Sequence, residues 1–261
     1  MPVKDLFSLE GKVAMVPGGG GGIGRVMAAG LCEAGAEVAI VDRSGSAMKE
    51  SCEIMEREGK HPLSIAADLT KKEEAERAAA ETVERFGRLD IVLNAIGGGA
   101  GNVLFDAEEY PEPEWEWIFD LNLRTTLLAT QAAVKAMIAG GRGGKVINIS
   151  SVRGQLGINA GYSAYVAAKG AIDSLTRQWA TEWAKHNITV NAIAPTFVDT
   201  PQVAMLLDDP DFKAGIVNRV PLRRVGQPQD LLGPVLLFAS DASAFVTGQI
   251  LTIDGGLTAT Q

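Results

Sequence analysis

The sequence is poor in the residues that bind metals or form disulfides, with two cysteines and two histidines among 261 residues. Cys32 and Cys52 both fall on predicted helices, so we interpret them as reduced, partly buried thiols. His61 and His186 stand apart and have no paired cysteines beside them, so no metal site is predicted. The serine-hydrolase pattern G-x-S-x-G is also missing, because the segment 161–165 lacks its last glycine.

The chain also lacks long apolar runs and an excess of positive charge. Its 24 Lys and Arg against 32 Asp and Glu give a net charge of −8, which argues against a nucleic-acid or anionic membrane partner. No apolar run reaches the ~18 residues of a membrane span, and the N-terminal segment lacks the apolar core of a signal peptide. We therefore predict a cytoplasmic protein. Without an internal linker or repeat, residues 1–261 are predicted to form a single domain.

Glycine is abundant, and five consecutive glycines stand between an apolar run at 13–16 and a run of helical period at 23–34. This order predicts strand, tight turn and helix, with an anion bound at the helix N-terminus. The dinucleotide pattern G-x-G-x-x-G fits Gly19, Gly21 and Gly24, although five glycines would satisfy many patterns by accident. The alternative interpretation is a flexible glycine loop.

A second predicted strand, 37–42, ends in Asp42, eighteen residues after Gly24. A carboxylate at this point can accept hydrogen bonds from the ribose diol of NAD and repels the 2′-phosphate of NADP. NAD is therefore the predicted cofactor and NADP the less favoured one, with the neighbouring Arg43 leaving some room for NADPH. The competing interpretation is that Asp42 only caps the following helix.

Strands and helices alternate along the whole chain, which predicts an α/β fold. We expect one Rossmann-like, doubly wound parallel sheet of about seven strands with helices on both faces. Ligands bind beyond the carboxyl ends of such strands. A substrate flap is predicted at about 197–220, where two prolines interrupt the pattern. Strands are predicted at 13–16, 37–42, 62–67, 89–95, 145–150, 188–194 and 249–254, and helices at 46–59, 70–85, 115–138, 161–185 and 230–239, besides 23–34.

Short motifs follow the predicted strands in a consistent order: a glycine turn, an Asp-Leu pair, an Asn-containing turn, and separate Asn, Ser, Tyr and Lys residues. Together they resemble the classical short-chain dehydrogenase/reductase family from Gly11 to Gly256. The resemblance implies a catalytic set of Asn122, Ser151, Tyr165 and Lys169. It implies cofactor contacts from Gly18, Gly22, Ile23, Gly24, Asp42, Arg43, Asp68, Leu69, Asn94, Ala95, Gly97, Tyr165, Lys169, Pro195, Val198 and Thr200.

The sequence departs from the family pattern at three positions near the implied cofactor. Pro17 replaces a usual Thr, and Ala95 replaces the second Asn of the Asn-containing turn. Thr196 replaces a common glycine, which places a side chain on the nicotinamide side of the pocket. No member of the catalytic set is missing.

The chemistry of Tyr165 can be argued without the family. Removing a hydroxyl proton during hydride transfer needs a base, and a free Tyr with pKa near 10 is a poor one at neutral pH. Lys169 lies one helical turn further along, so its ammonium is expected to favour the phenolate. Ser151 is expected to stabilise charge on the substrate oxygen. By resemblance, Asn122 holds a water that links Lys169 to solvent. Taken singly, Tyr165 and Lys169 would be ordinary helix residues.

Three functions are compatible with this set. The first is an NAD-dependent oxidoreductase that interconverts a small polar secondary alcohol and its ketone. The second is a 3-oxoacyl-carrier-protein reductase using NADPH, against which Asp42 and the acidic chain count. The third is a non-catalytic nucleotide sensor, which would not need the full catalytic set. The resemblance also implies a homotetramer paired through the helices at 115–138 and 161–185.

The substrate is expected to carry an anionic group bound by Arg153, two residues after Ser151. In the hydroxybutyrate-dehydrogenase branch of the family, the corresponding position similarly faces the substrate carboxylate, and a polar flap residue assists. Gln202 is the flap candidate here. A guanidinium offers a bidentate fork to a planar anion. Alternatively, Arg153 pairs with one of the chain's many carboxylates.

Overall fold

The computed structural model describes residues 2–99 and 104–260 and contains a seven-stranded parallel sheet. The strand order is β3-β2-β1-β4-β5-β6-β7, so the chain reverses its direction of growth between β1 and β4. This confirms the predicted doubly wound α/β fold. The strands are β1 (Val13–Pro17), β2 (Glu37–Asp42), β3 (Leu63–Ala66), β4 (Ile91–Asn94), β5 (Gly144–Ile149), β6 (Ile188–Pro195) and β7 (Ile250–Ile253).

Helices pack on both faces of the sheet. β1 shows why, because all five of its residues are buried and alternate residues enter two separate apolar cores. The helices are α1 (Val3–Leu6), α2 (Gly22–Glu33), α3 (Gly45–Arg57), α4 (Lys72–Phe86), α5 (Glu112–Phe119), α6 (Thr125–Gly140), α7 (Ser163–Trp183), α8 (Pro201–Leu207), α9 (Pro210–Arg219) and α10 (Leu232–Ala239). Ala14 and Val16 face the core with α2 and α10, whereas Val13 and Met15 face the core with α4, α6 and α7.

The predicted continuous helix at 115–138 is divided by a π-helical turn, Asp120–Arg124, which joins α5 to α6. The amide of Thr125 donates to the carbonyl of Asp120 across this turn. The Thr125 and Thr126 hydroxyls donate to the carbonyls of Leu121 and Asn122. Such turns concentrate at functional sites. Here the turn contains Asn122.

The sequence Thr70-Lys71-Lys72-Glu73 fits a capping box and predicts that Thr70 caps the helix that follows, α4, but this prediction is wrong. The residue before the helix is Lys71, which makes no side-chain cap bond, and the Thr70 hydroxyl instead donates to the Asp68 carboxylate at 2.7 Å. The reason is local, since Asp68 also accepts from the backbone amide of Thr70 and forms a competing turn. This turn fixes Asp68 at the edge of the sheet where its strand ends.

The predicted flap contains two short helices, α8 and α9. Each begins with a proline, which costs nothing there because the first helical N–H has no acceptor. Within the described residues, no helix combines the length and apolar character needed to cross a bilayer. Cys32 and Cys52 are both free thiols.

Candidate active site

A cavity of about 550 Å³ opens at the carboxyl edge of the sheet, next to the switch between β1 and β4. Its volume is in the usual range of small-molecule sites. Most of the residues singled out from the sequence line this cavity. They are Gly18, Gly22, Ile23, Gly24, Asp42, Arg43, Asp68, Leu69, Ala95, Gly97, Ser151, Arg153, Tyr165, Lys169, Pro195, Val198, Thr200 and Gln202.

The glycine turn is packed too closely for side chains at several positions, among them Gly18 and Gly22. A Cβ on Gly18, whose φ is +79°, would lie 2.7 Å from the Ala95 carbonyl carbon, and one on Gly22 would lie 2.8 Å from the Thr200 Cβ. Helix α2 begins at Gly22, and its preceding residue provides no side-chain cap. The first N–H groups of α2 therefore remain available to an anion in the cavity.

Asp42 occupies the end of β2 with its carboxylate facing the glycine turn. Its Oδ1 accepts from the Ser44 amide at 3.1 Å, and a Cβ on Gly20 would lie 3.0 Å from its Oδ2. The residue that caps α3 is Ser44, whose hydroxyl accepts from the Ala47 amide. The alternative that Asp42 serves only as the helix cap is therefore wrong. Arg43 is exposed at the same wall.

Ser151, Tyr165 and Lys169 come together although they lie on two elements. Ser151 follows β5, and its Oγ accepts from the Arg153 amide at 3.1 Å and lies 3.4 Å from the carbonyl oxygen of Pro195. Lys169 extends from α7, and its Nζ donates to the Ile149 carbonyl at 2.8 Å. The same Nζ lies 5.6 Å from the centroid of the Tyr165 ring. All three side chains therefore line the same cavity.

Burial is the largest influence on the pKa values of Tyr165 and Lys169. Burial raises the pKa of Tyr165 to about 12, while its hydrogen bond with Ser151 acts in the opposite direction. Burial also lowers the pKa of Lys169 to about 8, against the charge of Asp173. The expectation that Lys169 lowers the pKa of Tyr165 is thus not met, because burial raises that pKa and Lys169 is not among the groups that shift it. With this pKa, the Tyr165 hydroxyl keeps its proton at neutral pH.

Asn122 and Asn94 lie behind the cavity wall instead of on it. The buried Asn122 amide donates to the carbonyls of Gly98 and Ile118 and accepts from the Gly98 amide, so it holds the glycine turn after β4 in place. Asn94 donates to Thr130 and to Asn148, which joins β4 to α6 and β5. The structure therefore gives these residues bracing contacts, without direct access to a molecule in the cavity.

Gly97 is the position at which Asn122 and Lys169 approach the cavity together. Its φ is +149°, and a Cβ would lie 2.6 Å from the Asn122 Oδ1 and 3.0 Å from the Lys169 Nζ. The Gly97 carbonyl accepts from the Gln202 side chain at 3.4 Å, which joins the flap to this turn. Any larger residue at 97 would collide with the Asn122 side chain and crowd the buried lysine.

Arg153 is 7% exposed and lines the cavity. Its Nη1 donates to the Gly157 carbonyl at 2.9 Å, and no carboxylate of the described residues lies within 4 Å of it. Burial lowers its pKa, and the charge of Arg219 on the flap acts in the same direction. Among the described residues, Arg153 therefore forms no ion pair with an Asp or Glu of this chain, and the alternative interpretation is not supported.

Sequence reasoning overlooked three aromatic side chains of the wall, Trp117, Tyr162 and Phe197. Tyr162 makes an edge contact with the Tyr165 ring, with centroids 6.1 Å apart. Trp117 lies on α5, three residues before the π-helical turn, and 47% of its surface is exposed. The sequence alone could not identify Trp117 as a site residue, because its position beside the cavity follows from the fold. The described residues contain no cluster of metal-ligating side chains.

Comparison with known proteins decides the family. A family model described as Enoyl-(Acyl carrier protein) reductase matches residues 19–258. The 2-dehydro-3-deoxy-D-gluconate 5-dehydrogenase of Escherichia coli K12 is 40% identical over 97% of this chain and 98% of its own length. The chain belongs to the short-chain dehydrogenase/reductase family.

Two further members of this family are similar over nearly the whole chain. The 5-keto-D-gluconate 5-reductase of Escherichia coli K12 is 35% identical over 98% of both chains. A crystal structure of a gluconate 5-dehydrogenase from Burkholderia cenocepacia J2315, in complex with NADP and tartrate, is 34% identical with a TM-score of 0.92 and covers 99% of both chains. This short-chain family member is therefore an alcohol dehydrogenase or ketone reductase, and the non-catalytic sensor is not supported.

Proposed function

We propose that this enzyme uses NAD to interconvert a hydroxyl and a keto group on a small, polar, anionic substrate such as a sugar acid. The observation that carries the anionic class is Arg153, buried in the wall two residues from Ser151 with no carboxylate partner among the described residues. The gluconate-related names of the relatives support the same class. A buried cation in a binding cavity favours a charged ligand group.

The cavity fits a nicotinamide dinucleotide by three features. The glycine turn and the uncapped start of α2 suit the pyrophosphate, and Asp42 suits the adenosine ribose. Thr196 lines the opposite end, and its buried Oγ1 has no hydrogen-bond partner in the described part of the chain. A carboxamide there would satisfy that hydroxyl, in the region where Pro195, Val198 and Thr200 are proposed to make contact.

The bound nicotinamide would donate or accept the hydride. Ser151 Oγ would donate a hydrogen bond to the substrate oxygen, where negative charge grows as a ketone is reduced. Tyr165 would deliver the proton to that oxygen, and its raised pKa keeps the proton available at neutral pH. In oxidation Tyr165 would first lose its proton, and its phenolate oxygen would then take up the proton of the substrate hydroxyl. Asn122 would act by keeping Gly98 and the adjoining turn in place.

The experiment that tests this function is a spectrophotometric screen of NAD and NADP against substrates of different charge. We expect turnover with sugar acids and other hydroxy acids, and little with neutral polyols. A β-ketoacyl thioester belongs in the screen, because the alternative 3-oxoacyl-carrier-protein reductase would prefer it with NADPH. Preference for a neutral polyol or for the thioester would contradict the proposal.

Asp42→Ala should weaken NAD binding and reduce the preference for NAD over NADP, because it removes both the ribose acceptor and the charge that repels a 2′-phosphate. The comparison is kcat/KM for each cofactor in both proteins. Asp5→Ala, an exposed acid outside the cavity, is the control and should behave as wild type. Equal wild-type activity with NAD and NADP would refute this assignment of Asp42.

We also expect a homotetramer. Apolar side chains remain in solvent on the surface of one chain, including Trp115 at 38% exposure and Phe245 fully exposed. Closed symmetric assembly would bury such side chains. Light scattering at micromolar concentration should give four times the chain mass, and a monomer would contradict the expectation.

A further inference from the structure

Asp173 is a buried carboxylate beside the proposed catalytic residues. It lies on α7, one helical turn after Lys169, and is 3% exposed. Ser150, the residue before Ser151, donates its hydroxyl to Asp173 Oδ1 at 2.5 Å. Buried carboxylates are rare without a cation in contact, yet no lysine or arginine nitrogen of the described residues lies within 4 Å of this one. Burying this charge without a partner in contact costs free energy, which suggests that the carboxylate has a function.

Lys169 is likewise a buried charged residue without an oppositely charged group in contact, and its charge is positive. It is 2% exposed, its Nζ is hydrogen-bonded to the Ile149 carbonyl, and no described carboxylate lies within 4 Å. Residues four apart on a helix share a face, so the two buried charges are neighbours without being in contact. In a desolvated region their attraction is weakly screened.

The surroundings of Asp173 contain few other charges. On its own helix, Arg177 and Lys169 both lower its pKa, against the larger effect of burial, which raises it. From β5 it faces the Ser150 hydroxyl, which also lowers its pKa. From the turn after Ser151 it faces Gly154, where a Cβ would lie 2.6 Å from Asp173 Oδ2. Burial lowers the pKa of Lys169, and the negative charge of Asp173 acts against this lowering.

We propose that Asp173 is a positioning residue whose carboxylate, held by Ser150, acts as the buried counter-charge that keeps Lys169 protonated while the enzyme turns over. It touches neither the cavity nor Tyr165, and it acts through Lys169. The catalytic part of this inference rests on the proposed function. The electrostatic part, a direct influence of Asp173 on the proton affinity of Lys169, does not.

Asp173→Asn tests the electrostatic part, because asparagine keeps the shape and can still accept from Ser150 while the charge is removed. Competitive acetylation at trace reagent, read by mass spectrometry across pH, gives the titration midpoint of Lys169, whose amine lines the cavity. We expect the midpoint to fall by about two pH units, the size of a unit-charge interaction over ~6 Å, one helical turn, at an effective dielectric constant of about 20. An unchanged midpoint would overturn the proposal.

Ser150→Ala is the matched control, because it removes the hydrogen bond and leaves the charge. Its Lys169 midpoint should stay close to wild type, whereas a purely structural role of the network would make the two variants alike. Asp173→Ser also removes the charge, so its Lys169 midpoint should shift as in Asp173→Asn. It is the substitute if the Asp173→Asn protein does not fold.

The pH profile of turnover separates this inference from the proposed function. With any substrate that is reduced, the alkaline limb of the Asp173→Asn profile should move to lower pH by about the same two units, since Lys169 loses its proton at lower pH. A wild-type protein without turnover on any acid would contradict the proposed function alone, because the labelling result does not depend on substrate. Turnover with superimposed profiles would contradict the role of Asp173 alone.

Discussion

Tyr165→Phe should lower turnover by ~10²-fold or more while NADH binding remains close to wild type. The substitution removes only the hydroxyl that would donate or accept the proton, and the ring still fills its place in the cavity wall. Because both directions pass through the same transition state, kcat/KM should fall by the same factor for ketone reduction and for alcohol oxidation. The measurements are steady-state turnover in both directions and NADH binding by fluorescence.

Tyr162→Phe is the matched control, because Tyr162 lines the same cavity and packs edge-on against the Tyr165 ring. It should retain most of the activity. Substantial turnover by a correctly folded Tyr165→Phe protein would remove Tyr165 from the mechanism, and equal losses in both variants would point to packing instead of proton transfer.

The parallel sheet could be predicted because its strands are buried on both faces. The runs at 13–16 and 37–42 are almost continuously apolar, and both became strands with bounds within one residue of the expectation. In a parallel sheet the carboxyl ends gather on one edge, so residues after different strands could be assigned to one site before their contacts were known. This explains why Asp42, Ser151 and Pro195 all line the predicted cavity.

The interruption of the long helix could not be predicted, because the apolar period continues through it. Asp120–Arg124 accommodates one additional residue per turn, and the hydroxyls of Thr125 and Thr126 satisfy carbonyls there. Such a turn is stabilised by tertiary contacts, here between Asn122 and Gly98. The failed cap at Thr70 has the same origin, since a nearby carboxylate competed for the hydroxyl.

The chemical environment of the site was the least predictable part. Helical spacing correctly placed Tyr165 and Lys169 on one face, but it could not give the depth at which they lie. Burial determines the direction of both pKa changes, and it depends on how β5, α7 and the glycine turn after β4 close around the pair. The same holds for Arg153, because a sequence does not show whether an arginine has a carboxylate partner.

Arg153→Met should lower kcat/KM steeply for an acidic substrate and little for a neutral analogue of the same size. Losing a charge-assisted hydrogen bond in a buried site is worth about 1.5–3 kcal/mol, which corresponds to a loss of about 10- to 100-fold. Methionine keeps much of the apolar stem that packs in the wall, so the main change is the loss of the guanidinium. The pair of substrates should differ only in the carboxylate, for example a sugar acid and its amide.

The control is Arg142→Met, because Arg142 is exposed and does not line the cavity. It should leave kcat/KM unchanged for both substrates, which excludes a general effect of losing one positive charge from an acidic protein. Because the Arg153 guanidinium also donates to the Gly157 carbonyl, the stability of each variant needs to be compared by thermal unfolding. Equal losses for the acid and the amide in a folded Arg153→Met protein would show that Arg153 supports the turn at 154–157 and does not bind the anion.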